Sequence, residues 1–123
     1  MQYPASFLRF IEKFNAGEYY ECHDLLEEIW MEDKSDKFLQ GLLQLAVGLY
    51  HLEYGNVKGA RKMLASARKY LSRYGPLHGG LDVEQIIRCI QSCEAILPET
   101  DAISLAEAKA LPVPTFHLRL NMP

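Results

Sequence analysis

The sequence predicts an all-α protein, a compact array of about five helices followed by an extended, proline-containing C-terminal arm. Three observations carry that expectation. Apolar residues recur three and four apart over most of residues 7–97, the spacing of one helix face. Breakers at Asn15-Ala16-Gly17, Gly55-Asn56 and Gly75-Pro76 leave helix-length segments between them. With 49% hydrophobic and 24% charged residues, a chain of 123 residues can bury its own core and is neither disordered nor a linker. One domain over residues 1–123 is expected, with a helical core at about 7–97 and an arm at 98–123.

The first helix should run from about Pro4 to Asn15. Pro4 suits an early position, where its missing N–H costs nothing, and Phe7, Phe10, Ile11 and Phe14 form the inward stripe. Gly17 supplies the left-handed stop. The second helix, about Glu18 to Met31, turns Tyr19, Cys22, His23, Leu26, Ile29 and Trp30 to one face, with Glu21, Asp24 and Glu28 outward. A five-residue polar loop, Glu32 to Asp36, then sets the third helix antiparallel to it.

That third helix, about Lys37 to Tyr54, is apolar on most sides, so it should be central and largely covered. Gln40, Gln44, Gly48 and His51 interrupt it on a strip about 80° wide. Gly41 and Gly48 each cost about 0.8–1 kcal/mol relative to alanine, a cost that close approach of a neighbouring helix would offset. Asn56 should cap a fourth helix, about Val57 to Tyr74, in which Ala60 and Ala67 permit a tight crossing while Lys58, Lys62, Lys69 and Arg73 point out. Gly75 to Gly80 reads as a breaker, and Asp82 as the cap of a fifth helix ending near Leu97. A short helical turn at Leu105 to Lys109 should precede the arm, where Pro112, Pro114 and Pro123 flank Phe116, Leu118 and Leu120.

Net charge is −3, but the charges are sorted. Residues 1–56 carry 4 Lys/Arg against 10 Asp/Glu, residues 57–81 carry 6 against 0, and residues 82–123 carry 3 against 6. A duplex-binding protein is usually basic overall, and the basic helix lacks interleaved aromatics for stacking on bases, so nucleic acid is disfavoured. Those cations could meet an acidic partner, and contact with the acidic second helix is at least as plausible. Cys22, Cys89 and Cys93 form no C-x-x-C, so zinc, redox and disulfide roles are disfavoured and a reducing cytoplasm is expected. The longest apolar run, Phe38 to Leu52, is broken by Gln40, Gln44 and His51, so no membrane span is expected.

Chemistry is most readable around His23 and Glu27, one turn apart and about 40° around the helix from each other. Such a pair can share a metal, or the carboxylate can orient the ring for proton transfer. An antiparallel neighbour brings Gln44 opposite His23, with Gln40 on the same strip and His51 further along; Glu12 or Asn15 could complete a site from the first helix. The main expectation is a buried network of His23, Glu27, Gln44 and His51 in a small scaffold or interaction protein, with a homodimer or another protein as partner. The alternatives are a metal-dependent or acid/base enzyme, or a small-ligand binder, using the His23/Glu27 pocket. No cofactor is called for, and a divalent metal would have only His23, Glu27 and His51 to hold it.

The stretch from Phe14-Asn15 and Gly17 through Tyr19-Tyr20-Glu21-Cys22-His23-Asp24 to Leu26-Glu27-Glu28 and Trp30 resembles the bacterial and archaeal family called domain of unknown function 309. Phe38-Leu39-Gln40-Gly41-Leu42, Gln44, Ala46, Tyr50, His51, Asn56, Gly59-Ala60 and Leu64 continue the likeness over about residues 7–74. Cys22 and Asp24 stand where the family more often has alanine and glutamate. The resemblance implies an all-helical array with no assigned reaction. It also marks Glu21, His23, Glu27, Trp30, Gln44 and His51 as the positions to test. The third and fourth helices resemble a tetratricopeptide-style hairpin, although no second copy follows at that period.

Overall fold

In a computed structural model, which describes residues 5–120, six helices and one two-stranded ribbon form among those residues. Helix α1 (Ala5–Asn15) buries Phe7, Phe10, Ile11 and Phe14, with successive ring centroids 5.7 and 5.8 Å apart from Phe7 to Phe14. Pro4 lies outside the described residues. Helix α2 (Tyr19–Glu32) packs on α1 through Cys22, Leu26 and Ile29. Helix α3 (Lys37–Glu53) starts where the Asp36 carboxylate accepts the Leu39 N–H at 3.1 Å, a cap worth about 1 kcal/mol.

The closest packing lies between α3 and α4 (Val57–Leu71). A Cβ at Gly41 would stand 2.9 Å from Leu71 Cγ, and one at Gly48 would stand 3.2 Å from both Leu64 Cγ and Met63 Cβ. Their missing side chains let α4 sit this near, with Ala60 and Ala67 fully buried in the seam. Helix α4 ends at Leu71, one turn before the expected Tyr74.

The Gly75–Gly80 segment is more ordered than a plain connector. Strands β1 (Leu77–His78) and β2 (Leu81–Asp82) pair antiparallel, Leu77 with Asp82 and His78 with Leu81. Gly79 and Gly80 both have positive φ, 58° and 77°, as a two-residue hairpin turn requires. The His78 ring packs 4.5 Å from Phe38 and 4.7 Å from Tyr74.

Helix α5 (Val83–Ala95) is capped by Asp82 and lies on α4, where the Arg68 guanidinium grips both Glu94 carboxylate oxygens at 2.8 and 3.2 Å. Helix α6 (Leu105–Ala110) forms where the short helical turn is expected, one residue longer, and is closed by a reciprocal cap between Ser104 and Glu107. Hydrogen bonds from Ser104 hold the Glu107 carboxyl below its ordinary range. Between α5 and α6 the chain is tied to the α3–α4 turn: Ile103 N–H donates to Gly55 O, and Lys58 N–H to Asp101 O, both at 2.9 Å. The arm buries Phe116 and Leu118. Asn15 clamps it by exchanging two 2.8 Å hydrogen bonds with the Leu118 backbone, so Asn15 is an anchor for the arm rather than a member of any His51 site. Pro123 lies outside the described residues. Among the described residues no helix is long and apolar enough to cross a membrane.

Candidate functional site

Helices α2, α3 and α4 lie side by side, with α3 in the middle. On α2 and α3, Tyr20 meets Tyr50 at a centroid distance of 5.7 Å. This contact between antiparallel helices sets the register: residues three further along α2 lie level with residues three back along α3. His23 is therefore level with Val47, and Glu27 with Leu43.

His23 is found on the flank of α2, not in its core. At 100° per residue it lies about 60° from Leu26, the middle of the buried stripe, and Glu27 about 100°. The imidazole is 39% exposed, its Nε2 lies 3.2 Å from Glu27 Oε2, and its Nδ1 lies 3.6 Å from Asp24 Oδ1. The i,i+4 pair read from the sequence forms, but as a partly solvated pair. Glu21 is exposed.

The expected buried network does not form, since no polar or charged residue is buried among the described residues. Gln44 leaves its side-chain oxygen buried and unpartnered there, as Trp30 leaves its indole N–H. Gln40 accepts from Lys37 Nζ at 3.2 Å. His51 lies against α4, its Nδ1 3.2 Å from Asn56 Nδ2 and its ring against Gly59. The Asn56 Oδ1 accepts the Gly59 N–H at 2.9 Å, which turns the amide nitrogen to His51. An amide nitrogen only donates, so His51 Nδ1 accepts and the ring proton sits on Nε2. The two histidines occupy opposite flanks of α3, His23 toward α2 and His51 toward α4. Helical phase, which a register estimate along the axis ignores, keeps them apart.

Among the described residues no clear metal-binding or catalytic site is seen. Among the described residues no group of three His, Cys, Asp or Glu side chains could hold a metal ion, so His23, Glu27 and His51 do not make a ligand set. A cavity of about 210 Å³ opens between Tyr19, Leu52, Glu53 and Val113, and one of about 120 Å³ between Asp82, Gln85, His117 and Arg119. Neither is lined by His23, Glu27, Gln44 or His51. Burial pushes the Glu53 carboxyl up, and burial followed by the Glu53 charge does the same to the Tyr19 phenol. Cys22 and Cys93 are structural thiols: Cys22 donates weakly to Phe10 O at 3.6 Å, and burial pushes Cys22 up to about 12 and Cys93 to about 11.

What the structure does assemble is an aromatic ladder. Tyr50 stacks obliquely on Tyr54 at 4.9 Å as well as on Tyr20, and Tyr20 and Tyr54 are each 60% exposed. Burial, then Tyr54, raises the Tyr50 phenol. Leu43 and Val47, half-buried, continue the same ridge of α3 at helical spacing. Tyr50 thus leaves the third helix, expected to be largely covered, with an open edge. The 43/47/50/54 spacing was the available signal. Acidic α2 carries Glu21, Asp24, Glu27, Glu28 and Glu32 without a Lys or Arg, and α4 carries Lys58, Arg61, Lys62, Arg68 and Lys69 without an acid. They do not neutralise each other as expected: α3 lies between them, and no ion pair joins them among the described residues. Arg68 turns instead to Glu94, and Arg61 donates to the Pro98 carbonyl.

Two curated relatives are similar to the chain in sequence. The chain is 31% identical over 117 residues to Uncharacterized protein YpuF of Bacillus subtilis (strain 168), covering 90% of this chain and 66% of the relative. It is 30% identical over 57 residues to an Uncharacterized protein of Aquifex aeolicus (strain VF5), covering 44% of this chain and 17% of that relative. The chain thus spans slightly less than two thirds of the first relative's length and a small part of the second's. Residues 7–63, from the first turn of α1 to the middle of α4 and including all of α2 and α3, resemble the family described as Domain of unknown function (DUF309).

Proposed function

We propose that this is a helical interaction protein that binds another protein through the outer face of α2, α3 and α4. One observation carries the reading: the Tyr20–Tyr50–Tyr54 ladder, with two rings 60% exposed, runs along one ridge into half-buried Val47 and ends at Leu43, which packs against the core. Apolar and aromatic side chains that a fold leaves contiguous and open are the usual core of a protein interface. The rims carry both signs of charge, acidic on α2 and basic on α4, which suits a protein partner and not the uniformly negative backbone of nucleic acid. Three free cysteines fit a cytoplasmic setting. The His23–Glu27 pair serves this face as part of its polar rim. Neither of the two cavities described above touches that pair, and among the described residues no third ligand joins it, so neither observation supports a metal-dependent, acid/base or small-ligand role.

A photo-crosslinking residue placed at Val47 of the full chain tests this in cells, with the exposed Gln91 of α5 as the comparison position. A discrete adduct of one mass from Val47, weakened by Tyr54→Ala and missing from Gln91, is the expected result. Adducts at neither position, or equal adducts at both, overturn it.

A further inference from the structure

We infer that the partner is a second copy of the chain, docked face to face about a two-fold axis parallel to α3. The inference rests on the interaction reading above and adds the occupant and its geometry. The charges select it. The face is acidic on one edge and basic on the other, with α3 between them. A second copy can be laid on it with the dyad across α3 or along it. Across α3, each helix meets its own copy, acid on acid and base on base. Along α3, the acidic α2 of each chain lies over the basic α4 of the other, and α3 meets α3 on the dyad. Only the second arrangement is attractive at both edges.

The registers agree in detail. Tyr20 is level with Tyr50 on α3, and Gly48 is level with Leu64 on α4, so each residue on α2 shares its level with the α4 residue 42 further on in sequence. An axis along α3 preserves levels. Glu27 of the second copy then lies over Lys69, its Tyr20 over Lys62, and its Asp24 between the two lysines; Lys62 and Lys69 are both exposed. On the dyad, Val47 meets Val47. The size also fits. The 17 residues of α3 span about 25 Å, and three helices about 9 Å apart make a face about 27 Å wide. That is roughly 700 Å² per chain, close to the roughly 800 Å² that each partner gives to a standard stable interface.

Sedimentation of the purified full chain, alone and as two charge-reversed variants, tests this. Wild type should sediment at twice the 14.0 kDa chain mass. Lys62→Glu/Lys69→Glu should dimerise at least about tenfold more weakly, as should Asp24→Lys/Glu27→Lys, because each makes both edges repulsive. An equimolar mixture of the two should regain the dimer, since each reversed edge then meets its opposite. All four positions are solvent-facing or half-exposed, and unchanged circular dichroism establishes that the variants fold. A monomeric wild type at 100 µM overturns the inference, as does a dimer that survives both reversals or a mixture that fails to associate. If the Val47 adduct contains a different protein while wild type is monomeric, the interaction reading stands and the homodimer falls; no Val47 adduct and no dimer removes both.

Discussion

The two flanks of α3 are built from the same residue classes and end in opposite states. Toward α4, Gly41, Leu45, Gly48 and Leu52 are sealed, with Leu64 and Leu71 within van der Waals reach of the glycine positions. Toward the outer edge of α2, Leu43, Val47 and Tyr50 are only half covered, and Tyr54 stands open. Hydrophobicity therefore does not decide which side is core. Proximity does, and two absent side chains set it: with no Cβ at Gly41 and Gly48, α4 comes close enough to exclude water. On the other flank the rings of Tyr20 and Tyr50 meet 5.7 Å apart with Tyr20 60% exposed, so apolar area stays in contact with water. One flank is sealed, and the other keeps an apolar edge open.

The largest expected effect is on the sealed flank. Leu64 is fully buried against Gly48, so Leu64→Ala should cost about 3 kcal/mol from lost transfer energy and the cavity left behind. Val47→Ala, on the same helix one residue from Gly48 but on the open ridge, should stay within about 0.5 kcal/mol. Urea unfolding of both variants measures the contrast. Equal costs would mean that the ridge is as much a part of the core as the seam.

A smaller effect, on alkaline stability, tests whether the inner side of α2 is as dry as the α3–α4 seam. The Cys22 thiol is buried and raised to about 12 in the folded chain, so it stays protonated where the unfolded chain, near its ordinary value of about 9, ionises. The sign follows: its contribution is fully present below pH 9 and is lost as pH rises toward the folded value. Between pH 8 and 10 the unfolded thiolate should draw off about 1.4 kcal/mol. The fall in stability over that interval should be shallower by that amount in Cys22→Ala, read from unfolding midpoints at fixed salt. Parallel curves would place the thiol in contact with water and make α2 as open inside as it is outside.

Much of this contrast was legible in the sequence, and the illegible part has a common cause. Period and punctuation located α1 to α5, and Gly41, Gly48, Ala60 and Ala67 announced the tight α3–α4 crossing because small residues have few other uses in a helix interior. The β1–β2 ribbon escaped because two-residue strands have no period; only the Gly79-Gly80 pair hinted at it. The candidate site was half legible. The His23–Glu27 contact depends on helix geometry alone and forms, whereas its union with Gln44 and His51 depended on the rotation of α3 about its axis. One sequence contains no direct record of that rotation. The same rotation carried Tyr50 out of the expected core and onto the ridge, so the missing network and the unforeseen ladder are one error in phase.

The smallest expected effect is the one most sensitive to that phase. His23 sits 39% exposed beside a Glu27 that is 49% exposed, a pair whose attraction water and salt largely screen. His23→Ala should therefore change folding stability by no more than about 0.5 kcal/mol, in contrast to the roughly 3 kcal/mol expected of Leu64→Ala on the sealed flank. A buried histidine bonded into a polar core would behave otherwise, because removing it leaves desolvated partners unpaired at about 1–3 kcal/mol each. Chemical denaturation of His23→Ala at pH 7 separates the two. A loss above about 1.5 kcal/mol would turn His23 inward, close the flank between α2 and α3, and take from the open face the rim on which its charge pattern depends.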